Sequence, residues 1–131
     1  MIIKTEVEVT PRRIADLMVS VIEGGIGYWC KSVKLNIPPE IHFKSPWYDQ
    51  EEIYNDPGLS IEVVELDPSS DKNVEGSWII NLKSMERAFY LMQEFGNPKG
   101  FHWRDFINEN DDAITADVWF QLAVFGEVVY G

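Results

Sequence analysis

The sequence is poor in cysteine and in basic residues, and it has no long apolar run. A single cysteine, Cys30, excludes an intrachain disulfide framework and a zinc site built from several cysteines. Only 11 Lys and Arg oppose 22 Asp and Glu, which gives a formal net charge of −11. Proteins that grip nucleic acid with their bulk surface concentrate basic residues, so direct nucleic-acid binding is not expected.

Membrane attachment is not expected either. No apolar run approaches the roughly 20 residues that a membrane span needs, and residues 1–9 lack the apolar core of a signal peptide. The chain has 131 residues, of which 45% are hydrophobic and 13% aromatic. This length and composition predict one domain over residues 1–131, with a core of its own, in the cytoplasm.

The first quarter of the chain predicts a strand followed by an amphipathic helix. Residues 3–9 alternate apolar and polar side chains, which is typical of a half-buried strand. Thr10 and Pro11 suit the N-cap and first position of a helix, and Gly24-Gly25 suits its end. Apolar residues recur between these signals at helical spacing: Ile14, Leu17, Met18, Val21 and Ile22.

The rest of the chain predicts three further strands and then helices. The strands are expected at residues 28–35, 60–66 and 74–82, with a long irregular connection over residues 36–56 and a turn over residues 67–71. Helices are expected near residues 85–95, near residues 101–108, and from a Thr115 cap to Gly126. We therefore expect an α+β domain: one mostly antiparallel sheet of about four strands, with two to three helices packed on one face. Such a sheet has an exposed edge, which leaves a homodimer or higher homo-oligomer open.

The negative charge is concentrated in residues 49–75, which hold nine acids and one lysine. One interpretation is a solvated surface that keeps the protein in solution. The other is a partner-binding surface that imitates nucleic acid. The residues that would carry it are Glu51, Glu52 and Glu62.

The sequence predicts no catalytic, metal or cofactor site. Cys30 lies in an apolar run without a catalytic signature around it, so it reads as a small core residue. His102, Asp105 and Glu109 share a helical spacing, yet two histidines in the whole chain make a zinc site a poor explanation. The glycines at residues 24–27 follow a helix, whereas phosphate-binding loops lead into one.

Aromatic residues in loops offer the clearest sign of ligand binding. Trp47-Tyr48 lies in the proline-rich connection, and Tyr28-Trp29 follows a glycine turn. Aromatic faces in loops stack on nucleobases, although the same residues can fill a core. For Trp29 the core interpretation is favoured, and for Trp47-Tyr48 the two interpretations are even.

Two segments resemble a family of small bacteriophage and prophage proteins. The segments are Ile22–Cys30, which contains an EGG-x-x-YW motif at Glu23–Trp29 after the first helix, and Ala116–Gly131, which ends in an FGE-x-x-YG motif at Phe125–Gly131. The resemblance covers the first 30 and last 20 residues and brings no activity with it. Asp117 and Gln121 lie one helical turn apart within Ala116–Gly131, and either of them could accept a hydrogen bond from Tyr28 or Trp29. That contact is either purely structural or part of a pocket.

The resemblance, the size and the acidity together predict a phage-encoded, non-enzymatic counter-defence protein in the host bacterial cytoplasm. In the first hypothesis, it sequesters a nucleotide-derived signalling molecule between protomers, with aromatics stacked on the base and basic residues at the phosphate. The predicted ligand-binding residues are Tyr28, Trp29, Trp47, Tyr48, Lys83 and Arg87. In the alternative, it is an acidic inhibitor or DNA mimic that blocks a basic host defence protein.

Overall fold

The computed structural model describes residues 1–3, 7–36, 46–66 and 76–131. The turn predicted at residues 67–71 lies outside this described part, as do residues 37–45 of the predicted irregular connection. Within the described part, no helix is long and apolar enough to cross a membrane.

Four α-helices and five short strands make up the described fold, which is mixed α+β as predicted. The helices are α1 (Pro11–Glu23), α2 (Leu82–Met92), α3 (Phe101–Ile107) and α4 (Ala113–Phe125). The strands are β1 (Ile2–Ile3), β2 (Val7–Glu8), β3 (Cys30–Leu35), β4 (Ile61–Glu65) and β5 (Gly76–Ile80). Short 3₁₀ helices cover Ile26–Tyr28, Trp47–Asp49 and Glu51–Asn55.

The strands form two antiparallel sheets, so the predicted single sheet of about four strands is wrong. β1 pairs with β2, with Ile3 opposite Val7, and β4 lies between β3 and β5 in a three-stranded sheet. The alternating residues 3–9 are therefore not one strand, because Ile3 ends β1 and Val7 starts β2, and these two strands pair with each other. Alternation identifies extended backbone but carries no information on where the chain turns back.

Several element ends also differ from the prediction. β3 starts at Cys30 rather than at Tyr28, because Tyr28 closes a 3₁₀ turn. The cap of α4 is Asp112, not Thr115: the Asp112 carboxylate accepts the Thr115 backbone N–H at 2.9 Å. Both residue types favour the N-cap position, so the sequence alone does not separate them. The predicted cap of α1 is confirmed, with the Thr10 hydroxyl accepting from the Arg13 backbone N–H.

α4 forms the centre of the core. Almost every residue from Thr115 to Val124 is buried, whereas α1 and α2 each bury one face. A helix that is apolar on all sides must be surrounded by protein. α1 and α2 pack against α4, and β5 also contacts it. Asp117 and Gln121 are thus carried on the most constrained helix of the molecule.

Candidate functional site

Asp117 binds both aromatic residues of the Glu23–Trp29 segment. The Trp29 indole Nε1 donates to Asp117 Oδ1 at 2.9 Å, and the Tyr28 hydroxyl donates to Asp117 Oδ2. This confirms the predicted contact for Asp117, whereas Gln121 donates toward the Tyr28 hydroxyl, at 3.5 Å, rather than accepting from it. Burial, followed by the hydrogen bond to Asp117, raises the pKa of Tyr28 to about 12. The phenol therefore stays protonated at neutral pH and acts as the donor.

Gln121 fastens the chain that follows α4. Its Nε2 donates to Asp117 Oδ1 at 3.0 Å and to the Tyr130 carbonyl at 3.2 Å. Its Oε1 accepts from the backbone N–H groups of Val129 and Tyr130, at 2.9 and 2.8 Å. All the strong hydrogen-bonding positions of this buried amide are used inside the protein. Gln121 is therefore a structural clamp.

Tyr130 connects the hydrogen bonds around Asp117 and Gln121 to Glu65 on strand β4. Its ring stacks on Trp29, with centroids 5.6 Å apart and planes 7° apart. Its hydroxyl donates to Glu65 Oε2, and the Trp78 indole donates to Glu65 Oε1 at 3.1 Å. We call Tyr28, Trp29, Glu65, Asp117, Gln121 and Tyr130 the aromatic–carboxylate network.

Glu65 was missed as a functional residue because it was counted with the acidic segment. It is buried, and its side chain points to the core together with those of Ile61 and Val63. The burial of Glu65 could have been predicted from the alternation along β4, since residues 61, 63 and 65 lie on one face of a strand. Glu65 therefore does not contribute its charge to the acidic surface proposed for residues 49–75.

An open cavity of about 470 Å³ lies beside the network. Tyr28, Asp117 and Gln121 lie in its wall, and Tyr28 is 51% exposed. Among the described residues that line it, Asp117 is the only acidic side chain and none is basic. The remaining lining is small or apolar, apart from Tyr130: Gly24, Gly25, Ile26, Phe95, Ala113, Ile114, Val118, Val128 and Gly131.

The predicted aromatic ligand residues do not share one site. Tyr28 lines the cavity, but Trp29 is fully buried and does not line it. Trp47 and Tyr48 are half-buried and contact each other edge to face, with centroids 5.6 Å apart. The Tyr48 hydroxyl donates to Glu23 Oε2 at 2.8 Å, and this hydrogen bond raises the pKa of Tyr48. Tyr48 thus ties the 46–55 segment to the end of α1, and Trp47 packs against Tyr48.

The two predicted phosphate partners lie on α2, and neither lines the cavity. Arg87 Nη2 donates to the carbonyl oxygens of Ala123 and Leu122, at 2.9 and 3.4 Å. A cation at the carbonyl end of a helix satisfies free acceptors and opposes the negative end of the helix dipole. Arg87 therefore caps α4, and Lys83 is exposed on the same helix.

The described part of the acidic segment is not a uniform acidic surface. Glu51 and Glu52 are exposed, but Glu62 is half-buried on β4. Arg12 hydrogen-bonds Asp49 and comes within 3.9 Å of Glu51. The hydrogen bond to Asp49 raises the pKa of Arg12. Three acids of the segment lie outside the described residues: Asp67, Asp71 and Glu75.

His102 and Cys30, the residues considered for metal binding and nucleophilic catalysis, are both buried. His102 Nδ1 lies 2.7 Å from Thr115 Oγ1, and burial lowers the pKa of His102. Over the ranges that the structure describes, no group of three or more His, Cys, Asp or Glu could hold a metal ion. Cys30 is also buried, and burial raises the pKa of its thiol to about 11.

We expect Cys30 to react slowly with a thiol reagent in the folded protein. At pH 7.5, a pKa of about 11 leaves a thiolate fraction about a hundredfold below that of an ordinary thiol with pKa 9. Absorbance on addition of an aromatic disulfide reagent measures the rate, and the same protein in urea is the control. Equal rates in buffer and in urea would contradict the burial of Cys30.

The fold and the site define an α+β protein in which an open cavity lies beside the aromatic–carboxylate network. No protein-family model, curated protein or solved structure matches this chain. The resemblance to phage proteins and the function drawn from it therefore stay predictions.

Proposed function

We propose that this protein acts by stoichiometric binding of a nucleobase-containing signalling molecule, whose base enters the cavity beside Asp117. The observation that carries this proposal is the cavity of about 470 Å³ with Tyr28 and Asp117 side by side in its wall. Small-molecule sites typically measure about 300–1,000 Å³ and combine an apolar lining with a few placed polar groups.

Tyr28 and Asp117 supply the two interactions that a base needs. The Tyr28 ring is half exposed while its hydroxyl is held by Asp117, so the ring is oriented before the ligand arrives. Stacking of a base on such a ring contributes about 1–3 kcal/mol. Asp117 Oδ1 already accepts two hydrogen bonds and Oδ2 accepts one. Oδ2 therefore keeps one lone pair for an N–H group of a base edge.

The phosphates of such a ligand are expected to stay outside the cavity. No basic side chain among the described residues lines it, and Asp117 repels an anion. The position of Lys83 and Arg87 on α2 does not support their predicted role as phosphate partners at this site. We expect each phosphate added to a nucleoside to weaken binding to one protomer, and added salt to reduce that penalty.

In the predicted phage setting, such binding removes a host defence signal without changing it chemically. The competing proposal, an acidic inhibitor or DNA mimic, rests on Glu51, Glu52 and Glu62. We place it second because Arg12 lies against Asp49 and Glu51, and because Glu65 is internal. Salt-sensitive capture of a basic host protein, lost on charge reversal at those three glutamates, would favour it instead.

Titration calorimetry with nucleosides, mononucleotides and cyclic dinucleotides tests the cavity proposal. The variant Ile114→Trp places an indole at the cavity wall, at a position that is 67% exposed, so the fold is expected to tolerate it. We expect saturable binding by the wild type and at least tenfold weaker binding by this variant. Ile2→Trp, at an equally open position outside the cavity, is the matched control and should bind like the wild type.

Two outcomes would contradict the proposal. One is the absence of binding by the wild type to every member of the panel at millimolar concentration. The other is a chemically altered ligand, seen by mass spectrometry after the complex is denatured, since that result indicates an enzyme rather than a binder.

A further inference from the structure

β5 is an edge strand with an exposed, uncharged surface. Among the described residues it pairs only with β4, so no described strand satisfies the backbone N–H and C=O groups on its other side. Trp78 is 40% exposed and Ile79 55% exposed. The five residues Gly76–Ile80 contain no charge and no proline.

The opposite edge of the same sheet is protected. β3 carries Lys31 and Lys34, both exposed, and its pairing with β4 is irregular between Cys30 and Ser32. Lysines and bulges on an edge strand are the usual devices that prevent another chain from adding to a sheet. The two edges of one small sheet thus differ: β3 has both devices, and β5 lacks charge and proline while exposing two large apolar residues.

We propose that β5 is a self-association edge, at which two copies of the chain pair their β5 strands antiparallel about a two-fold axis. Trp78 is the central residue of the strand, so Ser77 of one copy lies opposite Ile79 of the partner subunit. The product is a continuous six-stranded sheet, which falls within the common range of sheet sizes. A two-fold arrangement uses the same surface on both copies, so association stops at the dimer.

Charge favours a second copy over a basic partner at this edge. Each chain carries a net charge of −11, so two copies can approach closely only where acids are absent. β5 itself brings no acid to such a contact, because it has no ionisable side chain, and Glu62, opposite it on β4, is half-buried. A basic partner, by contrast, is drawn to acid-rich surface and gains nothing electrostatic from β5.

The size of the strand limits the strength of this contact. Five residues at about 3.3 Å each span about 17 Å, and a contact of that length falls at the low end of interface areas, below about 1,200 Å². We therefore expect a reversible dimer with a dissociation constant on the order of 10–100 μM. Because no residue of β5 lines the cavity, this proposal and the binding proposal fail or hold separately.

Sedimentation equilibrium of the wild type from about 5 to 500 μM tests the proposal. The apparent mass is expected to rise from 15.1 kDa toward twice that value. The dimer should become tighter when NaCl is raised from 50 to 500 mM, because salt screens the repulsion between two acidic chains. The variant Ile79→Lys places a charge on the edge and should raise the dissociation constant at least tenfold.

Ile2→Lys is the matched control, because it makes the same charge change at another exposed isoleucine. It should dimerise at least as well as the wild type, since it lowers the net negative charge. Ser77→Lys is a second edge variant in case Ile79→Lys lowers stability, which urea unfolding reveals. A wild type that stays at 15.1 kDa throughout, or a dimer that both edge variants leave intact, overturns the proposal.

Discussion

Replacing Asp117 with alanine is expected to lower the free energy of unfolding by about 2–4 kcal/mol. The substitution leaves the buried Trp29 indole N–H and the Gln121 Nε2 without the acceptor that they share. A buried donor without a partner costs about 1–3 kcal/mol; the Trp29 indole loses its acceptor, and Gln121 Nε2 keeps only the Tyr130 carbonyl of the two strong acceptors described for it. Urea unfolding followed by tryptophan fluorescence, without added ligand, measures the effect.

Two companion variants make the Asp117 measurement specific. Asp117→Asn keeps one oxygen that accepts from Trp29 and Gln121. Its NH2 group takes the place of Oδ2 and can donate to the Tyr28 hydroxyl, so this variant should cost less than the alanine variant. Glu86→Ala removes an exposed helix carboxylate and should change stability by less than about 0.5 kcal/mol. If Asp117→Ala costs no more than Glu86→Ala, the network is not a structural unit.

Trp29→Ala is expected to cost about 3–5 kcal/mol, the range for removing a large aromatic side chain from a core. Trp29 is fully buried and its ring contacts three others. Those rings belong to Phe120, Phe125 and Tyr130. The substitution leaves a large void in the core, and the surrounding rings can close only part of it. Thermal unfolding and the near-ultraviolet circular dichroism of the folded protein report the change.

Trp47→Ala provides the comparison within the same protein. Trp47 is half-buried, and the ring contact found for it is with Tyr48, so the loss is expected to be about half that of Trp29→Ala. Similar costs for the two variants would show that burial does not separate these tryptophans. The core interpretation of Trp29 would then have to be abandoned.

Local sequence signals predicted the helices well. Thr10 and Pro11 start α1 and Gly24 follows it, as their cap preferences indicate. These signals act within a few residues of each other, so sequence order alone carries them. The apolar spacing also placed α2 correctly to within a few residues.

Strand pairing was predicted less well because it depends on residues that are distant in sequence. The alternating segment at residues 3–9 fits one strand as well as it fits two short paired strands. The choice between them depends on what the rest of the chain offers as a partner. Here β4 pairs with β3 and β5 instead, so β1 and β2 pair with each other.

The site was predicted in part. The contact of Tyr28 and Trp29 with Asp117 was predictable because Tyr28 and Trp29 are donors in one of the two segments noted in the sequence and Asp117 is an acceptor in the other. The position of Arg87 was not predictable, because its role depends on the end of α4, which lies 35 residues further along the chain. A count of charges by segment likewise did not reveal that Glu65 is internal.

The contact between Trp29 and Asp117 also orders the events of folding. It joins residues 88 positions apart, and closing a loop of that length costs about 4 kcal/mol of chain entropy. We therefore expect the network to form late, after the central helix has been made and packed. During synthesis, Trp29 leaves the ribosome long before Asp117 does, and until α4 is made its indole N–H has only water in place of its native acceptor. The Trp29–Asp117 bond thus joins an early part of the chain to a late one.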